Sequence, residues 1–142
     1  VDLYQIYEAR NAGADAVLLI VRILTDEELK FFLREINALG MAALVETHNE
    51  TEIKRAIDVG ASIIGINNRD LDTLEVDVNT TLRLKKLVPG GHTLVSESGI
   101  KTRREVKLLE AGGVDALLIG ESLLTSNNIQ AQLASLLHDD ED

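Results

Sequence analysis

The chain has 142 residues, 45% of them apolar, with 24 Asp and Glu against 14 Lys and Arg and a formal charge of −10. That length suits one domain with its own core, and the acidic balance argues against a nucleic-acid partner, which would need a basic face. With no Cys there is no disulfide framework or thiolate metal site, which suits the cytoplasm, and no apolar run approaches the roughly 20 residues of a membrane span.

Nothing at the front resembles a signal peptide. The only Met is Met41 and the chain opens at Val1, so the sequence is expected to be part of a longer product.

The predicted elements repeat one grammar of helix, glycine and strand. A first helix covers 2–11, is closed by Gly13 and leads into an apolar strand at 16–20. Leu29, Phe32, Leu33, Ile36 and Leu39 then form one face of a second helix. Thr25 with Glu28 makes a capping box at its start, and Gly40 a left-handed C-cap at its end. The strand at 42–45 runs up to Glu46. Asn49 with Glu52 caps a third helix, closed by Gly60, and the strand at 62–66 opens into Asn67-Asn68-Arg69-Asp70. Asp77 caps a fourth helix through Leu82, Leu84 and Leu87, ending near Gly90, before the strand at 93–95 stops at Ser96-Glu97. Thr102 with Glu105 caps a fifth, ending at Gly112, before the strand at 115–119. A last helix covers about 130–137, and 138–142 read as a solvated acidic tail. Tyr4, Tyr7, Phe31 and Phe32 fall on helix faces and read as packing residues.

Strands that are nearly all apolar are buried on both faces, as in a parallel sheet. Alternating with amphipathic helices, they make right-handed βαβ units, and the fold class is α/β. Five strands and six helices follow one another without a linker. An open doubly wound sheet should carry a glycine fingerprint after its first strand, and residues 20–24 carry none. A complete (β/α)8 TIM barrel needs about 250 residues. The pace of five units in this length predicts a partial barrel, with residues 1–137 its C-terminal part.

Each predicted strand ends in polar residues: Arg22; Glu46 and His48; Asn67 to Asp70; Glu97 and Ser98; Glu121 and Ser122. In barrel enzymes the catalytic groups come from this rim. Glu46, directly after four apolar residues, is expected to have a raised pKa suited to proton transfer. Glu97 has the same placement and suits orienting a substrate amine or hydroxyl. Asn67 both donates and accepts, Arg69 can grip a carboxylate, and Asp70 is expected to pin the loop that follows. Two glycine-containing turns, Ser98-Gly99 and Gly120-Glu121-Ser122, offer backbone N–H groups to an anion such as phosphate. His48, at the rim, reads as solvated. The three His are scattered without ligand spacing, and no metal is implied.

The segments Asp2-Leu3-Tyr4-Gln5-Ile6-Tyr7-Glu8-Ala9-Arg10, Leu44-Val45-Glu46, Gly65-Ile66-Asn67-Asn68-Arg69-Asp70-Leu71 and Ser96-Glu97-Ser98-Gly99-Ile100 together resemble the indole-3-glycerol-phosphate synthase family of tryptophan biosynthesis. The resemblance covers nearly the whole chain and implies strands four to eight of the family's barrel with their helices. It implies closure of the indole ring of 1-(2-carboxyphenylamino)-1-deoxyribulose 5-phosphate with loss of carbon dioxide and water, without cofactor or metal. Glu46 would be the catalytic carboxylate, with Asn67 and Glu97 in the catalytic site. Arg69 and Asn67 would contact the anthranilate part, and Ser98, Gly99, Gly120, Glu121 and Ser122 would form the phosphate rim. The family's Glu and Lys of strand one and Lys of strand three, its general acid, precede Val1 in the pattern, and no lysine here replaces them. The chain alone is therefore expected to be inactive. The alternative is a non-enzymatic half-barrel that self-associates and at most binds phosphate. Either way, the two strand edges are expected to be covered by a second copy or by the missing barrel segment.

Overall fold

Local signals set most of the helix starts. The computed structural model describes residues 2–138, so all but His138 of the predicted acidic tail lies outside the described residues. Asp2, Thr25 and Thr102 each accept a hydrogen bond from the backbone three residues on, and the residue there returns one to the cap, opening α1 (Leu3–Asn11), α2 (Asp26–Ala38) and α5 (Arg103–Ala111). Asn49 and Asn128 cap α3 (Glu50–Asp58) and α7 (Ile129–Leu137) through the side-chain oxygen alone.

Between them run β1 (Ala16–Ile20), β2 (Ala42–Thr47), β3 (Ile63–Asn67), β4 (Thr93–Glu97) and β5 (Ala116–Leu118). All neighbours are parallel, and the order across the sheet is the order along the chain. Each crossover thus returns to the adjacent position, the topology of consecutive βαβ units. The helices cover one face: Leu19, Val45 and Ile64 join Ile6, Leu29, Phe32 and Ile36 in the largest core cluster. A second gathers Ile53, Ile66, Leu84 and Leu94, and a third Ile100, Val106, Leu109 and Leu136.

The register fixes what the opposite face carries. Ile20 pairs with Glu46, Glu46 with Gly65 and Gly65 with Val95; one layer higher, Asn67 pairs with Glu97 and Glu97 with Leu118. Partners in a parallel ladder point the same way, so both glutamates and Asn67 rise from this second face.

Five expectations need correcting. There are seven α-helices among the described residues: Gly120 leads into an unforeseen short turn, α6 (Glu121–Leu124). The fourth helix is only α4 (Asn79–Leu84), finished by a 3-10 turn at Lys85–Leu87. Its Asp77 still accepts from the Asn79 N–H, while the face turned inward is led by Thr81, fully buried, rather than by leucines alone. The left-handed glycines are Gly91 and Gly113, one place beyond Gly90 and Gly112. Gly112 is right-handed, and a Cβ there would come within 2.3 Å of the Leu82 side chain, so packing dictates it. Finally, burial on both faces holds for the middle of the sheet only. Leu18 on β1 and Leu118 on β5 are 41% and 48% exposed, and of the four aromatics only Phe32 is buried.

Candidate active site

The C-terminal ends of β2, β3, β4 and β5 surround a cavity of about 420 Å³. Its lining holds the nine residues to which the resemblance gives a site role, Glu46, Asn67, Arg69, Glu97, Ser98, Gly99, Gly120, Glu121 and Ser122, while the strand-end residues Arg22, His48, Asn68 and Asp70 line a neighbouring cavity. Three strand ends supply the first four side chains, and two turns supply the rest.

At the floor, Glu46 and Glu97 are both buried and adjacent. Gly65 makes room for them: a Cβ there would come within 1.8 Å of Glu97 Oε1 and 3.2 Å of Leu44 Cδ1. The two carboxyls differ in charge. Burial alone would raise Glu46, but hydrogen bonds from His48, Glu97 and Asn67 outweigh it and hold Glu46 below the usual carboxylate range. Glu97 has no such cation beside it and Oε1 lacks a hydrogen-bond partner. Burial, and then the neighbouring Glu46, push it up to about 8. At neutral pH Glu46 is thus a carboxylate and Glu97 a carboxylic acid. The group with the raised pKa is Glu97, not Glu46 as expected from the sequence, because the cross-strand partners that decide it are unequal.

His48 is the second correction. Its side chain is 7% exposed, with Nε2 3.2 Å from Glu46 Oε1 and Nδ1 3.0 Å from Glu52 Oε2. Hydrogen bonds with both glutamates raise its pKa to about 9 against the effect of burial.

On the wall, the Arg69 backbone donates to Asn67 Oδ1 at 3.0 Å, and the Arg69 guanidinium is paired with Glu121. Lys101 Nζ stands 3.8 Å from the other Glu121 oxygen. A carboxylate therefore already sits where Arg69 would hold one, and an incoming acid group would take over that contact. Asp70 pins the following loop as expected, its Oδ1 accepting from Asp72 N at 2.7 Å and Thr73 N at 3.0 Å.

The rim turn is built under constraint. Ser98 and Gly99 both have positive φ, 66° and 78°, a conformation that costs any residue but glycine. Asn68 holds Ser98 there: its side chain donates to the Ser98 carbonyl and to Ser96 Oγ, both at 3.0 Å, and its backbone N–H to the Glu97 carbonyl at 2.8 Å. Thr81 completes the buried knot, donating through N and Oγ1 to Asn68 Oδ1 at 3.1 and 2.8 Å. Gly99 admits no Cβ, since Val76 Cγ1 would lie 2.3 Å away. Ser122 Oγ donates to the Ile100 carbonyl at 2.9 Å, tying the two turns together.

Sequence reasoning did not single out Lys101, Ile100, Leu118 and Ile119, which also line the cavity. Their position one or two residues past the glycine turn or at the last strand's end was the available signal. It missed Thr81 and Ser96 as supports, for which there was none. Among the described residues no group of three or more His, Cys, Asp or Glu could hold a metal ion, and no helix is long and apolar enough to cross a membrane.

Parallel strands with polar groups gathered at their C-terminal ends define a βα-repeat protein whose site is laid out as in barrel enzymes. The resemblance carried by the sequence motifs holds over the chain: residues 1–136 match the family described as indole-3-glycerol phosphate synthase. The chain belongs to that family. It is 52% identical over 136 residues to the indole-3-glycerol phosphate synthase of Endomicrobium trichonymphae, covering 96% of this chain and 53% of that protein. It is 53% identical over 133 residues to that of Acetivibrio thermocellus, covering 94% and 51%. The chain thus spans about half the length of the curated relatives it matches. Thiamine phosphate pyrophosphorylase from Pyrococcus furiosus superposes with a TM-score of 0.71 at 17% identity, over 93% of this chain and 62% of that one, a likeness of fold alone.

Proposed function

We propose that this chain supplies strands four to eight of a (β/α)8 indole-3-glycerol phosphate synthase. The complete barrel would close the indole ring of 1-(2-carboxyphenylamino)-1-deoxyribulose 5-phosphate and release carbon dioxide and water. The observation that carries the reading is the pair at the floor of the cavity, one carboxylate and one carboxylic acid side by side at neutral pH.

A ring closure that ends in dehydration needs a proton delivered to a departing hydroxyl and another taken away. Glu46, ionised, is the acceptor, and Glu97, protonated, polarises or protonates an oxygen opposite it. Asn67 steadies Glu46 and faces the aromatic part of the substrate. Arg69 trades Glu121 for the substrate's carboxylate, so that this group enters paired rather than desolvated alone. The phosphate lies against Ser98, Gly99, Gly120, Glu121 and Ser122, in two turns tied by the Ser122–Ile100 hydrogen bond, and takes its hydrogen bonds from their backbone N–H groups. In that rim Glu121 is the one repulsive charge, and Lys101 stays beside it to offset it once Arg69 has turned to the substrate.

The strand-one and strand-three lysines of the family have no counterpart among these 142 residues, so the chain alone turns over no substrate. The complete enzyme works in the cytoplasm on a phosphorylated small molecule, with no nucleic-acid or membrane partner and no cofactor. Joining the chain to the upstream segment of a relative and assaying indole-3-glycerol phosphate formation tests the assignment. Product is expected, and its absence from a folded barrel would overturn the reading. Turnover by the 142-residue chain within tenfold of a full-length relative would overturn the inactivity.

The exposed Leu18 and Leu118 support a second reading for the isolated chain: a half-barrel that pairs with another copy or with the upstream segment and binds phosphate alone. Inorganic phosphate should then shift the amides of Ser98, Gly99 and Gly120 to Ser122 before any others.

A further inference from the structure

Three helices of this chain begin with a polar cap and a glutamate three residues on, yet one spends its glutamate differently. In α2 and α5, Glu28 and Glu105 fold back onto the N–H of their own caps, Thr25 and Thr102, at 2.8 and 2.9 Å. In α3, Glu52 passes over the backbone of its cap and reaches His48, taking the backbone N–H at 2.8 Å and ring Nδ1 at 3.0 Å. Its other oxygen accepts from the Asn49 side chain at 2.8 Å. A capping device has been diverted to grip an imidazole.

The other face of the ring meets the cavity floor, with Nε2 3.2 Å from Glu46 Oε1 and both side chains nearly inaccessible. Nε2 makes no hydrogen bond, so what joins it to Glu46 is a close charge contact. A neutral imidazole has one N–H and would turn a bare lone pair toward one of the two carboxylates. Only the imidazolium turns an N–H and its positive charge toward both. The charges that bear on it are Glu46 at the end of β2, Glu52 on α3 and Glu97 on β4. Arg22, after β1, interacts with Glu52, and with Arg69, Arg83, Asp70, Asp72, Glu75 and Asp77 it lines the same outer cavity as the ring.

We propose that His48 is a positioning residue for Glu46: an imidazolium held between Glu52 and Glu46 that fixes the negative charge on Glu46 and leaves the proton to Glu97. The role rests on the synthase reading for its consequence in catalysis, but the clamp itself does not. It gives the two carboxyls separate duties in advance of substrate, because among the described residues the buried cation that touches this pair touches Glu46. It also ties the site to the first turn of α3, which lies on the helix side of the sheet.

Nuclear magnetic resonance of the histidine rings in this chain tests the clamp. His48 should be doubly protonated at pH 7 and titrate near 9, and Glu52→Gln should lower that midpoint by about one pH unit or more, as removal of an adjacent opposite charge does. A His48 midpoint near the ordinary 6.5, or one that Glu52→Gln leaves in place, would overturn the proposal whether or not the barrel is a synthase. In the complete barrel, His48→Gln keeps the ring's bulk and one donor but not its charge. The acid limb of kcat/KM should move up by about one pH unit or more, as Glu46 loses its cation, with KM little changed. Equal loss at every pH would instead mark a merely structural residue and refute the role toward Glu46.

Discussion

The middle of the sheet and its two edges are written in the same residues and live in different surroundings. β1 and β5 are as apolar as β2 and β3, yet on the face away from the helices Leu18 and Leu118 are open to solvent while Glu46, Val95 and Glu97 are buried. The difference is the neighbour. A strand paired on both sides, with helices over it, keeps water from even its glutamates, whereas one paired on a single side keeps half its leucines wet. Burial in the middle raises both Glu46 and Glu97, and the hydrogen bonds that His48 and Asn67 give to Glu46 are what separate the two electrically.

The comparison can be broken at its centre first. In the complete barrel, Glu46→Gln is expected to lower kcat by about 10²–10⁴-fold with little change in KM, the range for a lost proton-transfer group. An unchanged kcat would take Glu46 out of the chemistry. Asn68→Ala leaves Thr81 and Ser96 without their buried partner and frees Ser98, and should cost about 1–3 kcal/mol in urea unfolding. A loss under about 0.5 kcal/mol, the level of ordinary surface changes, would show that the knot is not what holds the turn.

A pH series sharpens the contrast further. Glu97 and His48 both have raised pKa values in the folded chain, to about 8 and about 9. The folded state therefore binds protons that the unfolded state has released, and stability falls as pH rises. The Glu97 share is lost between about 4.5 and 8, the His48 share between about 6.5 and 9. Glu46 and Glu52 are shifted the other way, so their share is present above the ordinary carboxylate pKa and lost as pH falls below it. Thermal unfolding across this series should show the alkaline decline, and Glu97→Gln should flatten its part below about pH 6.5. A profile that Glu97→Gln does not change would contradict the raised carboxyl.

The edges should answer least in stability. Leu18→Lys with Leu118→Lys is expected to change unfolding free energy by no more than about 0.5 kcal/mol per site, while reducing association in sedimentation at micromolar concentration. Equal association by the doubly charged chain would place its cause elsewhere.

Much of this was legible in one dimension. Helix starts such as Thr25 with Glu28 and Thr102 with Glu105 are local exchanges within four residues, and they form as the sequence indicates. The site residues could be found because a polar residue closing an apolar run lies at a strand end, and parallel strands bring those ends to one side. What could not be read depends on cross-strand partners. Which glutamate keeps its proton is decided by His48, Asn67 and Gly65 meeting through register, and Thr81 reaches Asn68 and Ser96 over separations of 13 and 15 residues. The diversion of Glu52 from its cap to His48 left no mark, since the spacing is the same as in the helices that cap conventionally. Gly91 and Gly113 were missed by one place because each follows another glycine, and only the backbone distinguishes them.

Gly65 carries a consequence for descent. The atom it lacks is the space that Glu97 Oε1 fills, and every other amino acid begins with that atom. No exchange at 65, however conservative by chemistry, is small by volume, and the compensating change would have to come from Glu97 itself. The two positions are therefore coupled: any side chain begun at 65 would push the Glu97 carboxyl out of its place beside Glu46.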